Sequence, residues 1–369
     1  MELPTLNPSR RGLLELPHEE LLAWLKDHGQ PAMRAKQLRR WIVVGRATSF
    51  DQMTDLPLAL RQQLAAEFAP LGTTVDRRLS SSDGTQKLLV RLHDGQVVEC
   101  VLLPERDRRT VCISTQVGCG MGCVFCASGI GGLVRNLSTA EILEQMLHAR
   151  NLLPAHERLT NVVVMGMGEP MANLDALLEA LATAAAADSL GLGVGARHVT
   201  ISTVGLPAKI RQLADRGKQY HLAVSLHAPN DALRNRIVPT NEKVGLAAIL
   251  EAGDYFFEKT GRQVTYEYVF LRDTNDGPEH AAELGRLLRG RPAHVNLIPF
   301  NDVAGLPYRR PTQEALTDFV AILKQYGVSI KVRKRKGADI DAACGQLRRD
   351  ALDASARRGA PEPVAAGGV

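Results

Sequence analysis

Three cysteines in one short segment are the residues of this chain that most clearly predict chemistry. The segment Cys119-Gly-Met-Gly-Cys123-Val-Phe-Cys126 has a C-x3-C-x2-C spacing, and its glycines leave the backbone free to turn. Cysteine thiolates are the ligands of iron–sulfur clusters, and three of them leave one iron of a [4Fe–4S] cluster open to an outside ligand. A structural zinc site would take a fourth Cys or His nearby, whereas the next histidine, His148, lies within a predicted helix. The spacing therefore favours a cluster over zinc.

The other three cysteines do not belong to that segment. Cys112 lies in an apolar, strand-like run, where a buried and inert thiol would be ordinary. Cys344 stands alone after Asp-Ile-Asp-Ala-Ala, and these hydrophilic residues favour an exposed loop over a core position. Cys100 is interpreted as structural. Six cysteines in 369 residues are too few for a disulfide scaffold, so the cluster of cysteines indicates metal binding or catalysis in a reducing compartment.

The elements that must position these residues alternate between strands and helices over residues 110–335. One helix, over residues 139–150, begins with a capping box formed by Ser138 and Glu141. Such alternation is typical of a parallel sheet with right-handed crossovers, and six or more units predict a full or partial (β/α) barrel. Chemistry in that architecture lies at the C-terminal strand ends, where the polar and special residues of this chain fall: Cys119, residues 166–170, Ser202, Ser225, His227 and Asn301.

The chain divides into four predicted parts. Residues 1–70 form three helices, interpreted as an RNA-docking domain or, equally well, as a cap on the larger domain. Residues 71–105 contain a β-hairpin that turns at His93-Asp94-Gly95, with Glu99 and Cys100 on opposite faces of its second strand. Residues 106–347 form the barrel, and residues 348–369, rich in Ala, Gly and Pro, form a flexible tail.

Composition and charge narrow the class of protein. Apolar residues make up 45% and charged residues 23%, which excludes collagen-like and largely disordered chains. There is no apolar run long enough to span a membrane and no secretory signal, so we expect a cytoplasmic protein. The net charge of +5 is unevenly distributed, because residues 31–46 and residues 331–336 carry five cations each and no acid. A solvated surface is the alternative, but two such blocks favour a polyanionic partner.

Further motifs carry a resemblance to a known family. The cysteine spacing after the first barrel strand resembles the radical S-adenosylmethionine (SAM) superfamily. The segments VMGMGEP, ISTVG, VSLHAPND, NLIPFN and GADIDAACGQL, within residues 85–347, resemble the RlmN/Cfr family of RNA adenine methyltransferases, with the RlmN members the more similar. The resemblance implies an α/β fold with a partial (β/α)6-type radical SAM barrel, a small N-terminal helical domain and a linking β-hairpin. It also implies two cofactors, SAM and a [4Fe–4S] cluster on Cys119, Cys123 and Cys126.

The same resemblance implies a covalent mechanism. Because the adenine ring carbon is electrophilic, it does not attack the methyl group of SAM, and radical chemistry is the reasonable solution. Cys344 would accept a methyl group from one SAM, and a radical made from a second SAM would join that carbon to adenine, tethering the RNA to Cys344. Cys112 would resolve the adduct through a transient disulfide with Cys344. Glu99 matches the family's proton acceptor, although either Cys112 or Glu99 could remove the ring proton. The positions of the SAM contacts match Gly168, Glu169, Ser202, Ser225, Leu226, His227 and Asn301.

The expected reaction is methylation at carbon 2 of an adenine. The resemblance implies two targets, 23S rRNA at the peptidyl-transferase centre and tRNA beside the anticodon. A Cfr-like methylation at carbon 8 is the alternative within the family. A non-catalytic, zinc-stabilised RNA-binding protein and a radical SAM enzyme with a small substrate are alternatives of other classes. The expected partners are RNA and a reductant such as flavodoxin or ferredoxin, with the protein a monomer and no membrane partner.

Overall fold

The computed structural model describes residues 10–186, 191–301, 303 and 305–347. The predicted C-terminal tail over residues 348–369 lies outside the described residues. The described residues form fourteen strands and ten α-helices, and ten of the strands make one sheet. No helix in this part of the chain has the length and apolar character that crossing a membrane requires.

The N-terminal region contains the three helices that the sequence predicts. A short strand, β1 (Arg11–Gly12), precedes α1 (His18–Asp27), α2 (Met33–Val43) and α3 (Leu58–Glu67), and it pairs in parallel with β2 (Phe68–Ala69). The helices bury leucine and isoleucine side chains at helical spacing, among them Leu21, Leu25, Leu38, Ile42, Leu60 and Leu64. The division of the chain into domains itself stays a prediction.

Four antiparallel strands follow, namely β3 (Thr74–Ser80), β4 (Gln86–Arg91), β5 (Val97–Glu105) and β6 (Arg108–Cys112). The hairpin of β4 and β5 is the one that the sequence predicts. The sequence does not reveal β3, because this edge strand carries charged, half-exposed residues instead of an apolar alternation. The last of these strands, β6, continues the sheet into its parallel part.

The first predicted barrel strand, over residues 110–118, is divided in the structure. It ends with β6 at Cys112, and the chain then forms β7 (Gln116–Gly118), which pairs with β8 (Leu133–Asn136) in a sheet of its own. Between the two, the amide of Ile113 donates to the carbonyl of Val163 at 3.0 Å, and that of Thr115 donates to Met167 at 2.9 Å. The chain therefore crosses the end of the next strand before it reaches Cys119.

The parallel part of the sheet forms a partial barrel. From β6 it continues through β9 (Asn161–Val164), β10 (Val199–Thr203), β11 (His221–Ser225), β12 (Val264–Phe270), β13 (Ala293–Pro299) and β14 (Ser329–Val332). The α/β fold with a partial barrel is thus confirmed, and the sheet stays open because β3 and β14 are its two edges. Seven helices accompany these strands: α4 (Thr139–Asn151), α5 (Leu174–Ala185), α6 (Pro207–Asp215), α7 (Asp231–Ile237), α8 (Leu246–Thr260), α9 (Pro278–Leu288) and α10 (Gln313–Gln325).

Helix boundaries follow local sequence signals. The predicted capping box is present at the start of α4, where the hydroxyl of Ser138 accepts from the amide of Glu141 and the carboxylate of Glu141 accepts from Ser138. The sequence does not reveal α7, because its seven residues are too few for a periodic pattern. Its N-cap is Asn230, whose side chain accepts from the amide of Leu233.

Two buried or half-buried arginines join the N-terminal helices to the barrel. Arg150, at the end of α4, donates to the carbonyls of Val43 at 2.6 Å and Ile42 at 3.3 Å. These carbonyls end α2 and would otherwise lack partners, and a cation also suits the negative end of the helix dipole. Arg46 completes the contact by donating to the carbonyl of Leu153 at 2.6 Å.

We predict that Arg150→Met weakens this attachment. The substitution keeps the apolar stem but leaves two buried carbonyls without a donor, which costs about 2–3 kcal/mol of unfolding free energy. Urea denaturation measures the change, and Arg158→Met, at an exposed arginine, is the control. Equal stability of the two variants would contradict the role given to Arg150.

Candidate active site

The three clustered cysteines point into one cavity at the C-terminal ends of the strands. Cys119, Cys123 and Cys126 line it together, and it holds about 960 Å³ of space including its open mouth. The loop keeps its shape through backbone hydrogen bonds, with the amide of Cys119 donating to Gly132 at 3.2 Å and that of Val124 to Ile237 at 3.1 Å. Burial raises the pKa of all three thiols, that of Cys119 to about 11, so ligation of a metal would release protons.

Two glycines are required where this loop meets its neighbours. Gly118 has a φ of +75°, and a Cβ added there would lie 2.0 Å from the carbonyl oxygen of Gly132. Gly168 has a φ of +101°, and its added Cβ would lie 2.6 Å from the side chain of Gln116. Any other residue at either position would displace backbone or a buried side chain, so the shape of the cavity depends on both.

Six of the seven predicted SAM-contacting residues line the same cavity, and one does not. Those that line it are Gly168, Glu169, Ser202, Ser225, His227 and Asn301. The seventh, Leu226, has a fully buried side chain in the hydrophobic core, and its carbonyl accepts from the guanidinium of Arg234. The parallel sheet explains the convergence, because successive strands end at the same edge.

Glu169 joins the ends of β9 and β10. Its Oε2 accepts from the amide of Val204 at 2.7 Å, and its Oε1 accepts from the amide of Met171 at 2.9 Å. Burial raises the pKa of this carboxyl, while the bonds to backbone amides act in the opposite direction. A carboxylate held in this way is fixed in orientation and offers negative charge to a cationic ligand in the cavity.

His227 lines the cavity as a neutral imidazole. Its pKa is lowered to about 3, chiefly by burial and further by the cation of Arg234. Its Nδ1 accepts from the amide of Val269 at 3.0 Å, which leaves Nε2 as the protonated nitrogen and a donor. The residue has a φ of +62°, in the left-handed region that few non-glycine residues adopt.

Arg234 holds the strand ends behind the cavity, and the sequence does not single it out. This fully buried arginine on α7 donates to the carbonyls of Ser225 and Leu226 at 2.9 Å each and to that of Val204 at 2.5 Å. It also donates to the side chain of Asn241. A cation within a short helix resembles any surface arginine in sequence, so only the fold reveals this contact.

A second cavity, of about 550 Å³ including its open mouth, adjoins the first. Cys112 and Cys344 both line it, and Cys344 and Arg333 line both cavities. Burial raises the pKa of Cys112 to about 12, with a further rise from Cys344, while Arg333 acts in the opposite direction. All six cysteines of the chain are described, and all are free thiols. The structure thus brings Cys344 between the clustered cysteines and Cys112.

The loop that carries Cys344 is packed against the cysteine cluster. The carbonyl of Gly345 accepts from the amide of Ala127 at 2.8 Å, and the carbonyl of Cys344 accepts from the side chain of Asn301 at 3.2 Å. The sequence predicts an exposed loop, whereas this loop is exposed only in part: Ala342 and Ala343 are buried, and Cys344 is half-buried. The hydrophilic residues before Cys344 do not face only water. Asp339 accepts hydrogen bonds from the hydroxyl of Ser81 and from the amide of Ser82.

Glu99 lies beside this site but lines neither cavity. Its side chain is fully buried, with Oε1 2.8 Å from Nζ of Lys87, so a solvent-facing strand carboxylate is excluded. Cys100, on the opposite face of β5, is also fully buried, and burial raises its pKa well above the ordinary value. The predicted opposition of these two side chains agrees with their positions in one continuous strand.

The residues present fit a cluster and an organic ligand. Within the described ranges, no three His, Cys, Asp or Glu side chains meet as ligands of one metal ion would. An iron–sulfur cluster does not require that convergence, because each thiolate ligates a different iron. Asn301 Oδ1, on the cavity wall, is buried and has no hydrogen-bond partner among the described residues. Such an acceptor suits a hydroxyl or amino group of a bound ligand.

The barrel and its cysteine-lined cavity define a class, the radical SAM enzymes. A family model described as the radical SAM superfamily matches residues 113–285, and one described as the ribosomal RNA large subunit methyltransferase N-terminal domain matches residues 12–69. Membership of the superfamily implies SAM and a [4Fe–4S] cluster as cofactors. A crystal structure of a radical SAM methyltransferase from Sphaerobacter thermophilus is 43% identical and has a TM-score of 0.87, covering 92% of this chain and 99% of that one.

Two relatives specify the family within this class. A probable dual-specificity RNA methyltransferase RlmN from Rhodopirellula baltica is 54% identical, over 93% of this chain and 92% of the relative. A protein of the same description from Symbiobacterium thermophilum is 47% identical with the same coverage. The chain belongs to the RlmN family of radical SAM RNA methyltransferases.

We predict that Arg234→Met loosens the cavity of the clustered cysteines. The substitution leaves the carbonyls of Val204, Ser225 and Leu226 without their donor, so the strand ends that carry the predicted contacts lose their alignment. We expect SAM affinity, measured anaerobically by equilibrium dialysis, to fall about tenfold, equivalent to about 1.4 kcal/mol. Arg236→Met, at an exposed arginine of the same helix, is the control. Equal SAM affinities of the two variants would rule out this role.

Proposed function

We propose that this enzyme methylates carbon 2 of an adenine in 23S rRNA, at the peptidyl-transferase centre, and in tRNA beside the anticodon. One observation carries the proposal: Cys344 lines both the cavity of the clustered cysteines and the cavity of Cys112. A thiol in that position has access to a cofactor on one side and to a second thiol on the other. The relatives' dual-specificity RNA methyltransferase names support the choice of substrates.

Cys119, Cys123 and Cys126 are proposed to hold the [4Fe–4S] cluster in the first cavity. SAM would bind beside it, against Gly168, Glu169, Ser202, Ser225, His227 and Asn301, with Leu226 supporting the strand end from behind. Together these cofactors supply methyl groups and the radical that activates an otherwise inert methyl carbon. The carboxylate of Glu169 suits the positive charge of SAM, and the free acceptor of Asn301 suits one of its donor groups.

Cys344 is proposed as the carrier of the methyl carbon. With SAM bound, this sulfur would attack the methyl carbon as a thiolate, so that a sulfur–carbon bond would form while the bond from the methyl carbon to the sulfonium would break. The guanidinium of Arg333 lies close to this thiol, because the pKa of Arg333 is raised mainly by Cys344. The hydrogen bond from Asn301 to the carbonyl of Cys344 holds the thiol at the junction of the two cavities.

Cys112 and Glu99 are proposed to release the product. Radical addition of the methyl carbon to the adenine leaves one unpaired electron on the adduct, and that electron would pass to the cluster. Glu99 then accepts the ring proton on its carboxylate. The sulfur of Cys112 loses its proton and bonds to that of Cys344 as the carbon–sulfur bond breaks. The two electrons of that bond stay with the product, whose methylene carbon takes up a proton and becomes the methyl group. Glu99 lies two residues from Val101, and Val101 pairs directly with Cys112 across the sheet.

The cationic mouth of the second cavity supports an RNA substrate. Lys334, Arg335 and Lys336 line it together with Arg310 and Arg333, so phosphates of a bound RNA would meet positive charge there. Only part of the predicted basic run faces outward, since Arg333 lines both cavities. An adenine must leave its stack to reach the thiols, and an open polar mouth allows that movement.

The alternatives explain less of the structure. A zinc-stabilised RNA-binding protein gives no role to the second thiol cavity, and a small-molecule enzyme gives none to the cationic mouth. Methylation at carbon 8 would use the same residues, and we favour carbon 2 because the relatives are named RlmN. We further propose an electron donor of the flavodoxin or ferredoxin type, a monomeric enzyme, and action in the cytoplasm, where these RNAs are modified.

We predict that Cys344→Ala abolishes RNA methylation but keeps the cluster. The variant loses the methyl carrier and retains all three thiols proposed as iron ligands. Product should fall at least about 1,000-fold, in the range expected for loss of a catalytic nucleophile. Iron and sulfide content should stay at the level of the unsubstituted enzyme, whereas Cys123→Ala should lose both. Methylation at the normal rate by Cys344→Ala would refute the covalent mechanism.

We predict that Cys112→Ala traps the enzyme on its substrate. Without the second thiol, the bond between Cys344 and the adenine carbon persists, so protein and RNA should migrate together under denaturing conditions. Mass spectrometry of the digested complex should locate the adenosine on Cys344. Cys100→Ala, at a buried cysteine outside both cavities, is the matched control. Finding Cys112→Ala free of RNA while product still forms would remove Cys112 from the mechanism.

A further inference from the structure

A buried lysine that the proposed mechanism does not use touches two of its parts. Lys87 lies on β4 with its side chain 6% exposed, and its Nζ is 2.8 Å from Oε1 of the fully buried Glu99. The same Nζ donates to the main-chain carbonyl of Asp341 at 3.1 Å. Asp341 lies three residues before Cys344. One ammonium group therefore joins the carboxylate on the sheet to the loop that carries the thiol.

The register of the strands places this lysine in line with the thiols. Lys87 pairs with Val101 across β4 and β5, and Val101 pairs with Cys112 across β5 and β6. The side chains of residues paired directly in a sheet point to the same face. Side chains two positions apart on one strand also share a face, so Glu99 points to the same side as Val101. Lys87, Glu99 and Cys112 thus share one face of the sheet, and the loop of Cys344 covers that face.

The loop is tied to the same strands at further points. The amide of Gly337 donates to the carboxylate of Asp83 at 3.1 Å, and Asp339 accepts from the amide of Ser82 at 3.1 Å. These contacts fix the outer part of the loop. Closer to Cys344, the chain turns at Asp341, which has a φ of +50°. A left-handed residue needs local support, and the bond from Lys87 to its carbonyl provides it.

We propose that Lys87 is a positioning residue that keeps Glu99 ionised and holds the loop of Cys344 in register with Cys112. This inference rests on the proposed function. An ammonium group in contact with a buried carboxylate favours the ionised form of that carboxylate, and a carboxylic acid cannot accept the proton of the adenine ring. The same ammonium group also donates to the carbonyl of Asp341. The position of the Cys344 loop therefore depends on Lys87, the residue that pairs with the proposed proton acceptor Glu99.

Three variants separate the two roles of Lys87. Lys87→Met removes both the charge and the donor, and Lys87→Gln removes the charge but keeps an N–H donor. Lys87→Arg keeps both. Lys324→Met, at an exposed lysine of α10, is the matched control. All four are compared with the unsubstituted enzyme, and with Glu99→Gln, which removes the charge of the proposed acceptor itself.

The first measurement needs no cofactor. Hydrogen–deuterium exchange of residues 337–344 in the cofactor-free protein reports how firmly the loop is held. We expect exchange to be about fivefold faster in Lys87→Met and unchanged in Lys324→Met, with Lys87→Gln closer to the unsubstituted protein. Exchange in Lys87→Met equal to that of the control would overturn the loop-holding role.

The second measurement follows a single turnover of the reconstituted enzyme. We expect Lys87→Met and Lys87→Gln to methylate Cys344 nearly normally, to accumulate the RNA–protein adduct, and to release product about 100-fold more slowly. Lys87→Arg should restore release to within about tenfold. A merely structural lysine would instead affect cysteine methylation, adduct formation and release together, and that result would overturn the proposal.

Glu99→Gln distinguishes a failure of this inference from a failure of the proposed function. If Glu99→Gln stalls at the adduct and the double variant with Lys87→Gln is no slower, the two residues act as a unit and the proposal stands. If Glu99→Gln stalls while Lys87→Gln releases product normally, only the inference about Lys87 fails. Normal release by Glu99→Gln would overturn both roles.

Discussion

The hydrogen bond from the amide of Ala127 to the carbonyl of Gly345 joins two segments that lie more than 200 residues apart in the chain. It sets the loop of Cys344 against the loop of Cys119, Cys123 and Cys126. The proposed function depends on this contact, because a thiol proposed to carry a carbon atom between two reaction partners must lie within reach of both. Asn301 strengthens the junction, since it lines the cavity of the clustered cysteines and donates to the carbonyl of Cys344.

Buried polar groups secure the strand ends around the cavity of the clustered cysteines. Arg234 donates hydrogen bonds to carbonyls at the ends of two strands. Glu169 accepts hydrogen bonds from the amides of Val204 and Met171. Groups of this kind are costly to bury singly and specific when fully bonded. On the thiol side, the loop of Cys344 is tied to β4, to the turn before it and to the cysteine loop by polar contacts.

Sequence predicts the parts of this structure that local spacing determines. Three features can be predicted from the sequence because each depends on neighbouring residues. They are the cysteine loop, the alternation of strands and helices, and the hairpin of β4 and β5. The break between Cys112 and Gln116 cannot be predicted in this way, because it follows from hydrogen bonds to β9 and the residues after it. Likewise, Arg234 and Lys87 look like surface cations, and only tertiary packing buries them. The burial of Glu99 and the core position of Leu226 have the same origin.

The central claim is that the inserted carbon passes through the sulfur of Cys344. Enzyme whose Cys344 carries a ¹³C-labelled methyl group is mixed with unlabelled SAM and RNA, and the first product is analysed by mass spectrometry. The account predicts that the first equivalent of methyladenosine carries ¹³C in the methyl group attached to carbon 2 of the ring. Later equivalents should carry no label. Unlabelled carbon in the first equivalent would contradict it, because the methyl group would then have come from SAM without passing through the protein.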